Sequence, residues 1–262
     1  MPARLAWPPV SCSKKMNPRL HGLVLLVVAL CAAMPAHIRQ SGDVAIDRTL
    51  AVSGEVTLFQ ASSGQPVKDA SRVVLWLVPK GAAPAAESGP DKPIYRMVQH
   101  NKTFDPHLLV VPVGSVVSFP NLDPWFHSVF SLYRGKRFDL GLYEPGSHKN
   151  IVFDRPGASY VFCNIHPQMA AVILTVDSDY FGISDKNGRI SIADVPTGPY
   201  QLHVWYEDAT EKSLEALERT ILLRNAGHSL PSVSIAVTKQ DLLHHKNKYG
   251  RDYDPQASSP EY

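Results

Sequence analysis

The sequence has 262 residues, of which 44% are hydrophobic and 19% are charged, with 22 Pro and 16 Gly. This length and composition suit one large or two small globular domains and exclude a collagen-like or broadly disordered chain. Four of the 26 Lys and Arg residues lie in the first 36 residues, which hold no acid, so 22 cations face 24 acids in the rest of the chain. This near-neutral balance argues against nucleic acid as a partner.

The N-terminal segment has the pattern of a secretory signal peptide. The eleven residues of 23–33 are all apolar or small, and they follow three cations, Lys14, Lys15 and Arg19. They are too few for a membrane-spanning helix, which needs about 20 residues. We expect residues 1–36 to be a signal peptide and the protein to be periplasmic or otherwise extracytoplasmic, with no stable membrane span after cleavage. The alternative is an uncleaved membrane anchor.

Removal of the signal peptide leaves a single thiol. Cys12 and Cys31 lie in the expected leader, and Cys163 is the third cysteine. A lone cysteine forms no internal disulfide, and a free thiol is a liability in an oxidising compartment unless something occupies it.

Short runs rich in Val, Ile and aromatic residues, separated by Gly, Pro, Asn and Asp, predict an all-β fold. The runs are 54–58, 73–78, 108–113, 115–119, 150–153, 160–162 and 171–176. The Ala, Pro and Gly-rich stretch 81–90 is typical of a linker, and 208–223 alone has helix-like spacing of its apolar residues. Residues 238–262 are expected to form a polar C-terminal tail that is either solvated or docked on the rest of the protein.

Four potential metal ligands stand out in two segments of the sequence. Cys163, His166 and Met169 are each three residues apart and precede an apolar strand, while His127 lies 36 residues before Cys163. A thiolate, two imidazoles and a thioether are the ligand types of a blue-copper centre, a His2Cys plane with a weak axial Met. A short loop between adjacent strands can bring the three later residues around one point, so the sequence predicts one copper ion at this site.

The segment from about 93 to 176 resembles the cupredoxins, the family of type 1 blue-copper proteins, and its C-x2-H-P-x-M pattern is most similar to the amicyanins rather than the plastocyanins. The resemblance implies a Greek-key β-sandwich over residues 92–178, with His127, Cys163 and His166 as equatorial ligands and Met169 as the axial ligand. It also implies that the residue after the first His is Asn, which ties the two ligand loops together. Here that residue is Ser128, which puts the support of the sulfur in question.

Other interpretations of these residues are weaker. A buried Cys, a Met beside a strand or a His next to aromatic residues is ordinary core packing when it occurs singly. Zinc is a poorer match, since its structural sites seldom use Met. His100, His107 and the pair His244 and His245 are expected to be surface or solvated histidines rather than a second metal site.

Two further segments resemble a carboxypeptidase-regulatory, transthyretin-like β-sandwich. One runs through 52–77 and the other through 184–204, where Asn187-Gly188 suits a tight hairpin turn. Neither fragment has enough strands to bury its own face. We therefore expect residues 48–80 and 180–237 to form one split sandwich into which the cupredoxin is inserted or to which it is joined, with a strand at 217–223 by that resemblance.

The sequence therefore predicts an exported one-electron carrier that cycles between Cu(II) and Cu(I). It is expected not to be an enzyme, because it has no His-x-His pair of a multicopper oxidase, no G-x-S-x-G motif and no H-E-x-x-H motif. A redox partner protein is expected to dock near His166, on Pro124, Trp125, Pro167 and Met169. The alternatives are a periplasmic copper chaperone or buffer and a non-catalytic cell-envelope interaction protein.

Overall fold

Alternating burial along the chain shows how the sequence builds its sheets. In the stretch Gly198–Trp205, every second side chain from Tyr200 onward is buried and those between are partly exposed. The computed structural model describes residues 49–81, 93–132, 135–224, 229–239 and 245–253. The predicted signal peptide and all but the first residue of the predicted linker lie outside these residues.

The described residues contain eighteen strands and one short helix, so the predicted all-β class is confirmed. The strands are β1 (Thr49–Gln60), β2 (Pro66–Val67), β3 (Val74–Pro79), β4 (Tyr95–Arg96), β5 (Val98–His100), β6 (Thr103–Asp105), β7 (Leu108–Pro112), β8 (Ser115–Pro120) and β9 (His127–Ser131). They continue with β10 (Phe138–Tyr143), β11 (His148–Phe153), β12 (Gly157–Cys163), β13 (Ala170–Val176), β14 (Phe181–Ile183), β15 (Arg189–Pro196), β16 (Gly198–Trp205), β17 (Arg219–Leu223) and β18 (Val233–Val237), and the helix α1 spans Glu211–Glu215.

Strands from both ends of the described chain form the first sandwich. One sheet has the order β15-β1-β18, with β2 also paired to β1, and the other has the order β14-β3-β16-β17. Their buried side chains share one core, which includes Val56, Leu75, Ile192, Leu202 and Ile235. The chain thus leaves these sheets after β3 and returns to them with β14. The domain bounds 48–80 with 180–237 and 92–178 stay a prediction.

The strands between these two points form a second sandwich. Its larger sheet has the order β10-β9-β12-β13-β7, its smaller sheet the order β11-β8-β4, and β5 pairs with β6 in a hairpin. The two sheets share a core that includes Phe119, Phe153, Val161 and Ile173, together with Cys163. A sandwich of this kind buries one face of each sheet against the other. The predicted ligand segments lie in its larger sheet and the loops attached to it.

A third cluster of buried residues connects the two sandwiches. Val74 of β3 packs with Leu108 and Val110 of β7 and with Val172 and Leu174 of β13. The side chain of Trp76, also in β3, donates a hydrogen bond of 3.0 Å to Asp177, which directly follows β13. Buried apolar contact and this hydrogen bond hold the two sandwiches together within the compact unit Ile46–Tyr262.

The segment 208–223 is only partly helical. The helix α1 begins after Thr210, whose side chain accepts from the backbone N–H of Ser213, and it ends at Glu215. The helical expectation for the rest is wrong, because Arg219–Leu223 pairs antiparallel with Gly198–Leu202 at the edge of the second sheet of the first sandwich. The strand predicted from the resemblance therefore forms, since pairing with β16 outweighs local helix propensity.

Candidate metal centre

Two neighbouring strands bring the predicted ligands to one end of the larger sheet. His127 begins β9, and Cys163 ends β12, with Cys163 opposite Val129 in the strand register. His166 and Met169 lie in the loop that joins β12 to β13. Because β12 and β13 pair along Phe162–Gly157 and Ala170–Thr175, this loop is short and both its ends are fixed.

Three ligand atoms converge at this end of the sheet. The Sγ of Cys163 lies 3.6 Å from Nδ1 of His127 and 3.6 Å from Nδ1 of His166, and the two Nδ1 atoms are 3.2 Å apart. His127 and Cys163 are completely buried and His166 is 3% exposed. Each separation is below about 4 Å, the sum of two metal–ligand bonds, so one ion can contact all three atoms. The donor atoms thus fit a single buried metal ion.

The carboxylate of Asp123 fixes the orientation of His127. It lies 3.0 Å from the Nε2 of His127 and also accepts hydrogen bonds from the backbone N–H groups of Asn101 and Lys102. Burial by itself raises the pKa of Asp123, but the backbone N–H of Lys102 and the bond from His127 outweigh it, so the pKa is lowered. The ionised carboxylate therefore accepts a hydrogen bond from the Nε2–H of His127, which leaves the Nδ1 lone pair of His127 facing the sulfur.

Both imidazoles are neutral at neutral pH. Burial lowers the pKa of His127 even though Asp123 opposes the shift. Burial is the main cause that lowers the pKa of His166 to about 4, and the charge that the neighbouring His127 carries when it is protonated lowers it further. A neutral imidazole with a free lone pair is the form that binds a metal.

The thiol of Cys163 is buried beside the Nδ1 atoms of His127 and His166. Burial raises its pKa, and the backbone N–H groups of Ser128, Ile165 and His166 oppose this rise by donating to the sulfur. These donors stabilise a thiolate, which in a buried site needs a cation to balance its charge. Burial outweighs these donors, so the pKa of Cys163 is raised, and the sulfur is a neutral thiol until a cation beside it balances the charge of the thiolate.

The backbone of Ser128 joins the two ligand segments. Its carbonyl accepts a 2.8 Å hydrogen bond from the N–H of Asn164, and its own N–H donates to the sulfur of Cys163. Both contacts are made by main-chain atoms. The resemblance implies Asn at this position and the chain has Ser128, but neither contact depends on the side chain of residue 128.

Met169 lies beside the three convergent residues. It is completely buried, its carbonyl accepts from the N–H of Cys163 at 3.3 Å, and its N–H donates to the carbonyl of His166 at 3.1 Å. These bonds close the loop on itself and place Met169 in the same buried cluster as Cys163. The role of its sulfur as a ligand stays a prediction.

The remaining residues considered in the sequence differ in their relation to the centre. Asp123 was not among the predicted site residues, and its position four residues before His127 was the available signal. His107 pairs with Glu207 at 2.8 Å, and His100 is exposed, as expected for surface histidines. The expectation that Met169 forms part of an exposed docking patch is wrong, since its side chain packs into the core, whereas Pro124 is exposed.

Comparisons with known proteins give partial structural matches. No family model matches the chain, and no curated protein does. A copper-containing nitrite reductase from Thermus scotoductus SA-01 is 23% identical with a TM-score of 0.32, and the match covers 34% of this chain and 23% of the reductase. A purple cupredoxin from Nitrosopumilus maritimus is 21% identical with a TM-score of 0.29, covering 31% of this chain and 99% of its own. A reduced amicyanin variant is 15% identical with a TM-score of 0.31, covering 39% of this chain and 98% of its own.

These likenesses extend over a third of the chain or little more. Within the ranges that the structure describes, no helix is long and apolar enough to cross a membrane.

Proposed function

We propose that the protein binds one copper ion through His127, Cys163 and His166, with Met169 as a weak axial ligand, and serves as an extracytoplasmic one-electron carrier. The observation that supports this proposal is the convergence of one sulfur and two imidazole nitrogens, all buried and within 4.8 Å of one another. When bound, copper would supply the Cu(II)/Cu(I) couple. We propose no catalytic reaction for this site.

The donor set favours copper over zinc. Zinc also accepts one thiolate and two imidazoles, but its fourth ligand is seldom a thioether. Two His and one Cys with a nearby Met are typical of blue-copper electron-transfer sites. The buried Met169, which packs in the same cluster as Cys163, therefore supports copper as the occupant.

The residues around the centre suit a site whose geometry changes little when an electron is gained or lost. His127 is held by Asp123, Cys163 lies in a paired strand, and the loop with His166 is closed by its own backbone bonds. Small displacements on electron transfer keep the reorganisation cost low. Burial excludes water from the sulfur, which protects the thiolate from oxidation.

The burial of the ligands argues against the alternative of a copper chaperone. A protein that hands its metal to an acceptor needs at least one ligand that the acceptor can reach. Here His127, Cys163 and Met169 are completely buried and His166 is 3% exposed. We further propose that a redox partner docks near His166, where Pro124 and Pro167 are at least partly exposed.

A visible spectrum and voltammetry on the copper-loaded protein test the proposal. We expect one copper per chain, an intense thiolate-to-copper absorption and a reversible one-electron couple. Cys163→Ser should abolish the absorption while the circular dichroism of the β-sheets stays unchanged. Met169→Leu keeps the volume of the side chain and should retain the absorption but shift the potential upward.

Three outcomes would contradict the carrier. Copper bound without the absorption would exclude the Cys163 site, and preferential binding of zinc would exclude copper as its occupant. An absorption without a reversible couple, together with transfer of the metal to an acceptor protein, would favour the copper buffer or chaperone instead.

A further inference from the structure

The C-terminal segment 245–253, called the clasp below, packs against the loop that carries the predicted ligands. The hydroxyl of Tyr253 donates a 2.9 Å hydrogen bond to the carbonyl of Cys163. The Nε2 of His245 lies 3.0 Å from the carbonyl of Pro167. Of the two expectations for the C-terminal tail, solvated or docked, these contacts agree with the docked one, and the expectation of a solvated His245 is wrong.

Further contacts fix the clasp on both sides of the loop. The backbone N–H of Lys248 donates to the side-chain oxygen of Asn164 at 3.0 Å. The ammonium of the same residue pairs with Asp139 of β10 at 2.9 Å. The clasp is thus joined both to the ligand loop and to the strand that borders β9.

Aromatic contacts connect the two hydrogen-bonding residues of the clasp. The ring of His245 stacks on Phe162, the residue before Cys163, with the ring centres 3.9 Å apart and an angle of 25° between the planes. The Nδ1 of His245 lies 3.3 Å from the hydroxyl of Tyr253, and the two rings meet edge to face. His245 and Tyr253 therefore contact each other as well as the loop.

The clasp contacts the loop between β12 and β13 that carries the predicted ligands. The clasp bonds Cys163, Asn164 and Pro167, which lie on either side of His166. The strands β12 and β13 pair with each other through their own backbone hydrogen bonds, from Gly157 opposite Thr175 to Phe162 opposite Ala170. What the clasp adds is a fixed backbone between the end of β12 and the residue after His166.

We propose that Tyr253 and His245 are positioning residues, which hold Cys163 and His166 in their ligand arrangement whether or not a metal is bound. The identity of the metal rests on the function proposed above, whereas the fixed loop is a property of the chain alone. Pre-organised ligands avoid the free-energy cost of ordering the loop when the metal binds.

The metal-free protein gives the first test. In the full chain with Cys12→Ser and Cys31→Ser, Cys163 is the only thiol, and the rate at which it reacts with a disulfide reagent reports opening of the loop. We expect Tyr253→Phe to raise this rate roughly tenfold, because opening no longer breaks the bond to the Cys163 carbonyl. Tyr249→Phe is the matched control, since Tyr249 lies in the same segment and is 70% exposed.

The metal-loaded protein gives the second test, with Cu(II) alone as the probe. We expect Tyr253→Phe and His245→Ala to broaden the thiolate-to-copper absorption and to raise the rate of copper loss to a chelator several-fold. His245→Gln retains a side-chain donor for the Pro167 carbonyl and should restore part of the wild-type rate. A residue that only stabilised the fold would change the unfolding midpoint but not the absorption.

The outcomes separate this proposal from the proposed function. If Tyr253→Phe and His245→Ala both react and load as wild type does, the clasp has no positioning role. If wild type shows no thiolate-to-copper absorption but its thiol is protected by Tyr253, the clasp is supported and the copper carrier is not. If Tyr253→Phe does not fold, the same measurements on His245→Ala decide the question, and its agreement with wild type overturns the proposal.

Discussion

The carboxylate of Asp123 lies 3.0 Å from the Nε2 of His127, and both side chains are at most 2% exposed. A buried carboxylate that accepts from a ligand imidazole raises the basicity of the other ring nitrogen and fixes the ring plane. The same carboxylate is held by two backbone N–H groups of the turn between β5 and β6. The hairpin β5–β6 thereby supports the orientation of a predicted ligand.

Replacement of Asp123 by Asn tests this support. The Asn amide is neutral, and its NH2 group donates hydrogen bonds but cannot accept them. It therefore cannot accept all three of the hydrogen bonds that the Asp123 carboxylate accepts. We expect Asp123→Asn to weaken copper binding by about 10–100-fold, measured by competition with a chelator. Asp154→Asn is the control, because Asp154 is half exposed and pairs with Lys136. Equal affinities for both variants would show that Asp123 does not support the site.

The buried pair of Gln99 and Tyr143 links the small hairpin to the second sandwich. The Gln99 amide donates to the hydroxyl of Tyr143, which in turn donates to the carbonyl of Phe119 at 3.3 Å. We expect Tyr143→Phe to lower the free energy of unfolding by about 1–3 kcal/mol, because it leaves buried polar groups unpaired. Urea denaturation measures this, and a loss no larger than that of the exposed control Tyr249→Phe would contradict it.

The turn at Gly188 tolerates no side chain. Its φ is +76°, and a Cβ would collide with the carbonyl oxygen of Val56. We expect Gly188→Ala to destabilise the protein by more than about 2 kcal/mol, through both left-handed strain and the collision. Gly64→Ala is the control, since Gly64 has a φ of +69° and a Cβ added there would meet no atom within 4 Å. Similar thermal midpoints for the two variants would show that the collision is relieved.

The apolar contact between the two sandwiches contributes to stability. Leu174 is 2% exposed and belongs to the cluster that connects them. We expect Leu174→Ala to lower the free energy of unfolding by about 2–5 kcal/mol through lost burial and a residual cavity. Leu142→Ala is the control, because Leu142 is 61% exposed. An unfolding free energy for Leu174→Ala within experimental error of the control would mean that this contact is not part of the stabilising core.

The sequence allowed the all-β class to be predicted because alternating and β-branched runs are local signals. It was less informative over 208–223, where local spacing favours a helix but pairing of Arg219–Leu223 with β16 produces a strand. A local pattern cannot show whether an edge of a distant sheet is open for pairing. The two ends of the described chain share sheets through pairing of β1 with β15 and β18. The resemblance predicted one sandwich from these two segments, but no local pattern shows which of their strands pair.

By itself, the sequence determined which donor types the centre offers. Cys163, His166 and Met169 lie within seven residues of one another, and the residue type alone fixes whether a side chain offers a thiol, an imidazole or a thioether. Only the tertiary structure decided that His127 reaches the same point, that Asp123 holds its ring, and that residues 245–253 cover the loop. These contacts join residues far apart in the chain. They form only when distant strands pair and their side chains pack into shared cores. The free energy that favours this packing comes from contacts across the whole fold, so no short stretch of sequence predicts it.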